Sequence, residues 1–206
     1  MKVLVINASP HGAKGNTAVA LREMEKVFAA ADVEMETVEI GRQDVRGCIS
    51  CYSCSKTGKC AFDDVVNELA PKFEQADGLI VATPVYYASA NGTLVSCLDR
   101  LFCSTHFDKR MKVGTAVVSA RRNGTTATFE MLNQFFFSSG MPAVAIGNWN
   151  AVHGYTPEDV LADEEGLAGL RVVAENMVFL MKSIAKGKEE FGMPAPPVRV
   201  KTNYIR

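Results

Sequence analysis

The stretch Lys2-Val3-Leu4-Val5-Ile6-Asn7-Ala8-Ser9-Pro10-His11-Gly12-Ala13-Lys14-Gly15-Asn16-Thr17 decides the fold class. Its first part, Lys2 to Ile6, is a short apolar run that reads as a buried strand. Residues 17–31 then carry Val19, Leu21, Met24, Val27 and Phe28 at helical spacing. The polar turn between them opens a helix N-terminus, where free backbone N–H groups and the positive end of the helix dipole suit a phosphate. Gly12 and Gly15 let the backbone approach a ligand closely, and Ser9, Asn16 and Thr17 supply neutral donors. Lys14 adds charge or points to solvent. The turn has neither the Gly-Lys-Ser/Thr of a P-loop nor the G-x-G-x-x-G spacing of a dinucleotide fingerprint. Glu39 stands where a dinucleotide-binding protein places its ribose-binding acid, so the turn alone leaves a dinucleotide open. The competing reading is an ordinary polar turn with Ser9 or Asn16 as a helix cap.

Strands and helices alternate outward from this unit. Residues 33–40 alternate by two, as an edge strand does, and residues 63–75 form a helix that opens on two acids. Leu79-Ile80-Val81-Ala82 is the most apolar strand and ends at Thr83-Pro84. Residues 93–103 are helical, with Leu94, Leu98, Leu101 and Phe102 on one side. A strand at 113–119, a helix at 125–139 and a fifth strand at 142–146 follow. Residues 157–186 read as one long helix, with Gly166 and Gly169 as interruptions near its start. Short apolar strands separated by helices predict an α/β fold with a parallel sheet covered on both faces. Right-handed crossovers make it a doubly wound five-stranded sheet of order 2-1-3-4-5. Residues 1–186 then form one domain, and the proline-containing residues 187–206 an extended C-terminal tail. Ligands bind such sheets at the carboxyl ends of strands 1 and 3, where the winding reverses. That places residues 7–17, 83–91 and 119–124 around one site.

Length and composition agree. A chain of 206 residues suits one domain. Apolar residues at 48% and charged residues at 22% are ordinary for a soluble globular protein. A formal charge of −1 without a long basic run argues against nucleic acid as a partner. No stretch approaches the roughly 20 apolar residues of a membrane helix, and the N-terminal run is too short for a signal peptide. A cytoplasmic protein with reduced thiols is therefore expected. Its six cysteines do not read as disulfides, and four of them within residues 48–60 point to metal or redox chemistry.

The second and third turns suit a flat ligand. In Thr83-Pro84-Val85-Tyr86-Tyr87, backbone N–H groups would face the edge of a planar ring, and Tyr86 and Tyr87 would stack on it or wall it. A purely structural role for each tyrosine is the competing reading. Ser119-Ala120-Arg121-Arg122-Asn123-Gly124 would hold the other edge. Arg121 and Arg122 suit negative charge on a reduced ring or the phosphate of a nicotinamide cofactor, and one of the two is expected to be solvated surface.

These segments, with Ala8-Ser9-Pro10, Gly15-Asn16-Thr17 and Leu98-Asp99-Arg100, resemble the NADPH-dependent FMN reductase family of flavodoxin-like proteins. The resemblance extends to Trp149-Asn150-Ala151-Val152-His153-Gly154 and to the closing Thr202-Asn203-Tyr204-Ile205-Arg206, and so spans nearly the whole chain. It implies non-covalent FMN, with the phosphate on Ser9, Asn16 and Thr17 in a loop that also holds His11 and Gly15. The isoalloxazine would rest against Pro84, Val85, Tyr86 and Tyr87 on one side. Ser119, Ala120, Arg121 and Gly124 would meet it on the other. It also implies a homodimer or homotetramer with FMN near a subunit interface.

Cys48-x2-Cys51-x2-Cys54-x5-Cys60 lies between the second strand and the next helix. A C-x2-C-x2-C run brings three sulfurs to three corners of a cubic cluster, as in bacterial ferredoxins. The fourth cysteine departs from that pattern, with five spacers and no following proline. Gly47 and Gly58 allow tight turns. The motif resembles that of the iron–sulfur flavoprotein branch, which carries a [4Fe–4S] cluster. A cluster-free loop of free thiols or a redox pair is the close alternative. Structural zinc, which prefers two cysteine pairs on separate turns, is the third. Cys97 and Cys103 sit among apolar residues at helical positions and are expected in the core. Trp149, Asn150 and His153 are expected in a loop over the ligand, where His153 donates a proton or serves only as a hydrogen-bonded loop residue.

The function expected from this reading is an FMN-dependent oxidoreductase. It takes a hydride from NAD(P)H and passes electrons to a small-molecule acceptor: a quinone, an azo or nitro compound, or another flavin. The rivals are an iron–sulfur electron carrier that exchanges electrons with ferredoxin, and a module that binds no flavin.

Overall fold

The computed structural model describes residues 1–146, 150–198, 200 and 202. Its centre is three parallel strands, β1 (Lys2–Asn7), β3 (Gly78–Tyr86) and β5 (Val113–Ala120). β2 (Glu34–Glu39) pairs with β1 at one edge, and β6 (Ala151–His153) pairs with β5 at the other. The parallel order β2-β1-β3-β5-β6 is the expected doubly wound arrangement, with the two-residue β4 (Ser89–Ala90) folded back antiparallel on the end of β3.

The central strands read as continuous apolar runs because each of their faces meets helices. Alternate residues sort to opposite sides. Leu4, Ile6, Leu79, Val81 and Val118 pack against Phe73 of α3 (Val65–Gln75), Leu98 of α4 (Gly92–Ser104) and Phe136 of α5 (Thr125–Phe137). Val3, Val5, Ile80 and Val117 pack against Phe28 of α1 (Asn16–Ala30) and Met177 of α7 (Glu164–Phe191). A short helix, α2 (Cys54–Thr57), lies inside the cysteine loop, and α6 (Pro157–Leu161) precedes α7. Among the described residues no helix is long and apolar enough to cross a membrane.

The fifth strand departs from expectation. Of residues 142–146, only Ala143 forms a bridge, to Gly114. The strand that pairs with the carboxyl end of β5 at this edge is β6. The buried Asn150 amide closes the gap, donating to Thr115 Oγ1 at 2.7 Å and to the Val144 carbonyl at 2.9 Å. A three-residue strand is too short for its period to be read in advance. The expected long helix is two helices. Thr156 and Asp159 form a capping box that starts α6, and Asp163 starts α7 by accepting from the Gly166 amide at 3.0 Å. The break thus falls at Asp163, and Gly166 and Gly169 lie within α7. Because α7 runs to Phe191, residues 187–191 are helical and the extended tail begins at Gly192, whose φ is +74°. Trp149 and residues 203–206 lie outside the described residues.

Replacing Asn150 with Ala removes two buried hydrogen bonds and reopens the gap in the edge strand. Urea denaturation should show a loss of about 1–3 kcal/mol with an unchanged slope.

Candidate functional site

Three turns meet at the carboxyl ends of β1, β3 and β5. The first leaves β1 at Asn7, whose side chain accepts from the Ser9 amide at 3.0 Å. Gly12 adopts a left-handed φ of +51°, and a single 3-10 turn at Gly12–Lys14 leads to Gly15, the N-cap of α1. A Cβ on Gly15 would fall 2.6 Å from Ser9 Oγ and 3.0 Å from His11 Cβ, so any larger residue would displace the Ser9 hydroxyl and crowd His11. Gly15 also has no side chain to cap α1, which leaves the first amides of the helix facing a ligand position. Gly41 supports the loop from behind, since a Cβ there would lie 2.3 Å from the Ser9 carbonyl. Sequence reasoning missed Gly41, because its constraint is a contact between segments distant in the chain.

Hydrogen bonds hold the turns together. Thr17 and Ser119 share one between their hydroxyls at 2.8 Å, and both residues are buried. Asn16 Nδ2 donates to the Gly154 carbonyl at 3.0 Å. Asn91, the N-cap of α4, donates from Nδ2 to the Ala8 carbonyl at 2.8 Å, and its backbone amide donates to Thr83 Oγ1 at 3.0 Å. Gly124, with φ +85°, lets the third turn touch the second: a Cβ on it would lie 2.7 Å from Val85 Cγ1. Tyr87 at φ +57° and Ala88 at φ +115° hold the second turn in a backbone conformation that L-residues rarely adopt, as functional turns often do.

Between the turns lies a crevice of about 310 Å³. Ser9, His11, Asn16 and Thr17 line it from the first turn. Pro84, Val85 and Tyr86 line it from the second, and Ser119, Ala120 and Arg121 from the third. Gly15 and Gly124 shape the turns rather than line the crevice. Tyr87 is fully exposed and borders an adjoining hollow of about 400 Å³ with Arg121 and Arg122. Burial pushes the Tyr86 hydroxyl's pKa up. Tyr155 was not anticipated. It lines the crevice, and the Arg121 guanidinium lies 5.4 Å from the centre of its ring, which places a cation and an aromatic face together at the rim. His153 borders a separate hollow with Asp163 and Glu165, and its backbone N–H donates to Asp163 Oδ2 at 2.7 Å. Glu39 points its carboxyl toward Gly12, and desolvation raises its pKa.

The cysteine loop forms a second cluster. Cys48, Cys51, Cys54 and Cys60 line one small apolar pocket of about 30 Å³, together with Phe62, Arg100 and Cys103. Cys103 is thus not a core residue as expected. It is exposed, in the last turn of α4, and faces the loop. Partial desolvation against the loop and then the nearby thiols of Cys48 and Cys54 push its own thiol up. Cys97 does lie in the core, where burial pushes its thiol up to about 12. The donor set around the pocket, soft thiols with an apolar wall, is of the kind that suits an iron–sulfur cluster. Among the described residues no three His, Cys, Asp or Glu side chains converge closely enough to hold a metal ion, so the sulfurs must draw together to bind one.

Comparison with known proteins adds to this geometry. The family model described as NADPH-dependent FMN reductase matches residues 1–156. An iron–sulfur flavoprotein of Methanocaldococcus jannaschii is 33% identical over 194 residues, covering 90% of this chain and all of that protein. The NAD(P)H:quinone oxidoreductase of Methanothermobacter marburgensis superposes with a TM-score of 0.65 at 19% identity, over 86% of this chain and 98% of that one. An archaeal flavodoxin does so at 0.59 and 14% identity, over 88% of this chain and 99% of that one. These two structures share the flavodoxin-like fold with this chain.

Glu39 is exposed at the sheet edge, and partial desolvation of its carboxyl holds its pKa above the ordinary 4.5, so ionising this group opposes folding only weakly. That opposition is absent below the ordinary pKa and complete above the raised one. Glu39→Gln should therefore be more stable than the parent at pH 7, and the difference should vanish as pH falls below about 4. Urea midpoints of both proteins at the two pH values measure this.

Proposed function

The chain belongs to the NADPH-dependent FMN reductase family, and on that premise we propose that it is an FMN-dependent oxidoreductase driven by NAD(P)H. Its second substrate is a small electron acceptor: a quinone, an azo or nitro compound, or another flavin. The observation that carries this reading is the convergence of three turns on one crevice with a phosphate cradle at one end.

The residues present fit FMN. The tight Gly12–Gly15 turn, the uncapped start of α1 and the groups of Ser9, Asn16 and Thr17 offer a phosphate site built from neutral donors and a helix dipole. The Thr17–Ser119 bond fixes the distance between this cradle and the third turn. Pro84, Val85 and Tyr86 face Ser119, Ala120 and Arg121 across the remaining space, which suits the edges of a flat ring. Bound FMN supplies the redox chemistry, because it accepts two electrons as a hydride and can release them one at a time. The protein's part is orientation and charge. Arg121 brings a cation to the rim and Tyr155 covers its guanidinium. Arg122 faces the adjoining hollow, where anionic groups of the nicotinamide cofactor or acceptor would enter.

The finer part of the proposal is a [4Fe–4S] cluster on Cys48, Cys51, Cys54 and Cys60. Its support is the cysteine spacing, the pocket the four residues share, and the iron–sulfur flavoprotein name borne by the Methanocaldococcus relative. With a cluster, ferredoxin joins the possible electron partners. A cytoplasmic homodimer or homotetramer completes the reading. The exposed Tyr86 and Tyr87 beside the crevice are consistent with a neighbouring subunit covering it.

Anaerobic purification followed by an absorbance spectrum, iron and sulfide assays and NAD(P)H oxidation tests each part. Bound flavin, stoichiometric iron and sulfide, and NAD(P)H-dependent reduction of a quinone are expected. A colourless protein that fails to take up added FMN would sink the whole reading, and flavin without iron would remove only the cluster. Gly15→Ala should weaken FMN binding at least tenfold, about 1.4 kcal/mol, as titration of the apoprotein would show. Cys51→Ala should abolish iron binding while FMN remains, and iron that survives this change would overturn the ligand assignment.

A further inference from the structure

Arg100 is buried to 1% exposure in the middle of α4, yet the flavin crevice makes no use of it. Its side chain enters the base of the cysteine loop. Nη1 and Nη2 donate to Asp64 Oδ2 and Oδ1 at 2.7 and 2.8 Å, a bidentate pair. Nη1 also donates to the Arg46 carbonyl at 3.2 Å, and Nη2 to the Phe62 carbonyl at 3.4 Å. Arg46 precedes the four cysteines and Phe62 follows them, so one guanidinium ties the two ends of the loop. The remaining Nε–H donates to Cys60 Sγ at 3.2 Å.

Cys60 is held from its backbone as well. Its N–H donates to Asn67 Oδ1 at 3.0 Å, and its carbonyl accepts from Asn67 Nδ2 at 3.1 Å. Cys48 and Cys51 are exposed instead, on a stretch where Ser50 and Tyr52 both have left-handed φ. One sulfur of the four is therefore fixed in place with a hydrogen bond already made.

We propose that Arg100 is a positioning residue that fixes Cys60 as the anchored cluster ligand and, through its Nε–H bond to Cys60 Sγ, raises the cluster's reduction potential. The inference rests on the cluster reading above. A hydrogen bond to a ligand sulfur stabilises negative charge there, and the reduced cluster carries one more electron than the oxidised one. The reduced state gains more, and the potential rises. Pairing with Asp64 keeps the buried cation compensated, so the effect comes from the hydrogen bond rather than from a bare buried charge. A plain structural clamp would leave the potential unchanged.

Two variants test this in the full-length protein purified without oxygen. Arg100→Lys keeps a cation for Asp64, but its single ammonium nitrogen cannot pair with Asp64 and also stand where Arg100 Nε donates to Cys60. The double variant Arg100→Met with Asp64→Asn removes both charges together, and Asn preserves the α3 cap that Asp64 supplies through Val66 N. Iron, sulfide and flavin contents are measured first, then the midpoint potential of the cluster by mediated titration. The expected result is wild-type iron and sulfide with a potential at least about 59 mV more negative, a tenfold shift of the one-electron equilibrium. Either variant with full iron and sulfide at the wild-type potential overturns the inference while the cluster reading stands. A folded, flavin-containing protein that holds no cluster in either variant overturns the claim on the potential, because Arg100 would then act only by anchoring Cys60 and building the loop. Wild-type protein without iron and sulfide removes the cluster reading and this inference with it.

Discussion

The pairing of β1 with β3 governs the molecule. These strands are neighbours in the sheet, with Asn7 beside Ala82, although about 75 residues separate them in sequence. The chain leaving β1 turns into α1 on one face, and the chain leaving β3 turns into α4 on the other. Two turns that depart in opposite directions from adjacent strand ends must open a gap between them, and the crevice lies in that gap. The Ala8 N–H to Ala82 carbonyl bond at 2.8 Å carries the pairing one residue beyond β1, to the point where the turns separate. Loss of this register would move Ser9 and Pro84 relative to each other and leave no common site.

Glycine and small polar residues set the dimensions of the gap. Gly15 and Gly41 press on Ser9 from two directions, and Gly124 presses on Val85. Each contact is shorter than a Cβ would allow, so the three turns sit closer to one another than alanine would permit. The Thr17–Ser119 and Asn91–Ala8 bonds then satisfy buried polar groups that would otherwise face a dry interior. Steric economy and polar satisfaction thus act on the same few residues. This explains how loops on three separate segments present one shaped surface.

Much of this was legible in the sequence because the decisive signals are local. The apolar runs at β1, β3 and β5, the helical spacing of Val19, Met24 and Phe28, and the turn chemistry at Gly12 and Gly15 each report on a few neighbouring residues. What escaped depends on contacts at a distance. The split edge strand is set by Asn150 reaching back to Thr115 and Val144. The role of Gly41 is set by Ser9, and the place of Tyr155 by Arg121. Cys103 was misplaced because its helical neighbours are apolar, while its own position at the end of α4 turns it toward a loop some 50 residues earlier. The start of α7 is not marked by Gly166 and Gly169, which lie within the helix, but by the Asp163 side chain that caps it.

The flavin crevice and the cysteine pocket differ in how far the fold prepares them. The crevice is bounded by strand ends and helix starts whose backbone bonds are made in any case, so its geometry follows from the sheet. The cysteine loop has one short helix and three left-handed residues, Ser50, Tyr52 and Gly58, among its cysteines, and its ends are gathered by a single buried arginine. On the cluster reading proposed above, ordering the remaining thiols would have to be driven by the metal–sulfur bonds themselves, as in small domains whose metal binding is coupled to folding. Arg100, Asp64 and Asn67 would limit that cost, because they fix Cys60 and both loop ends beforehand.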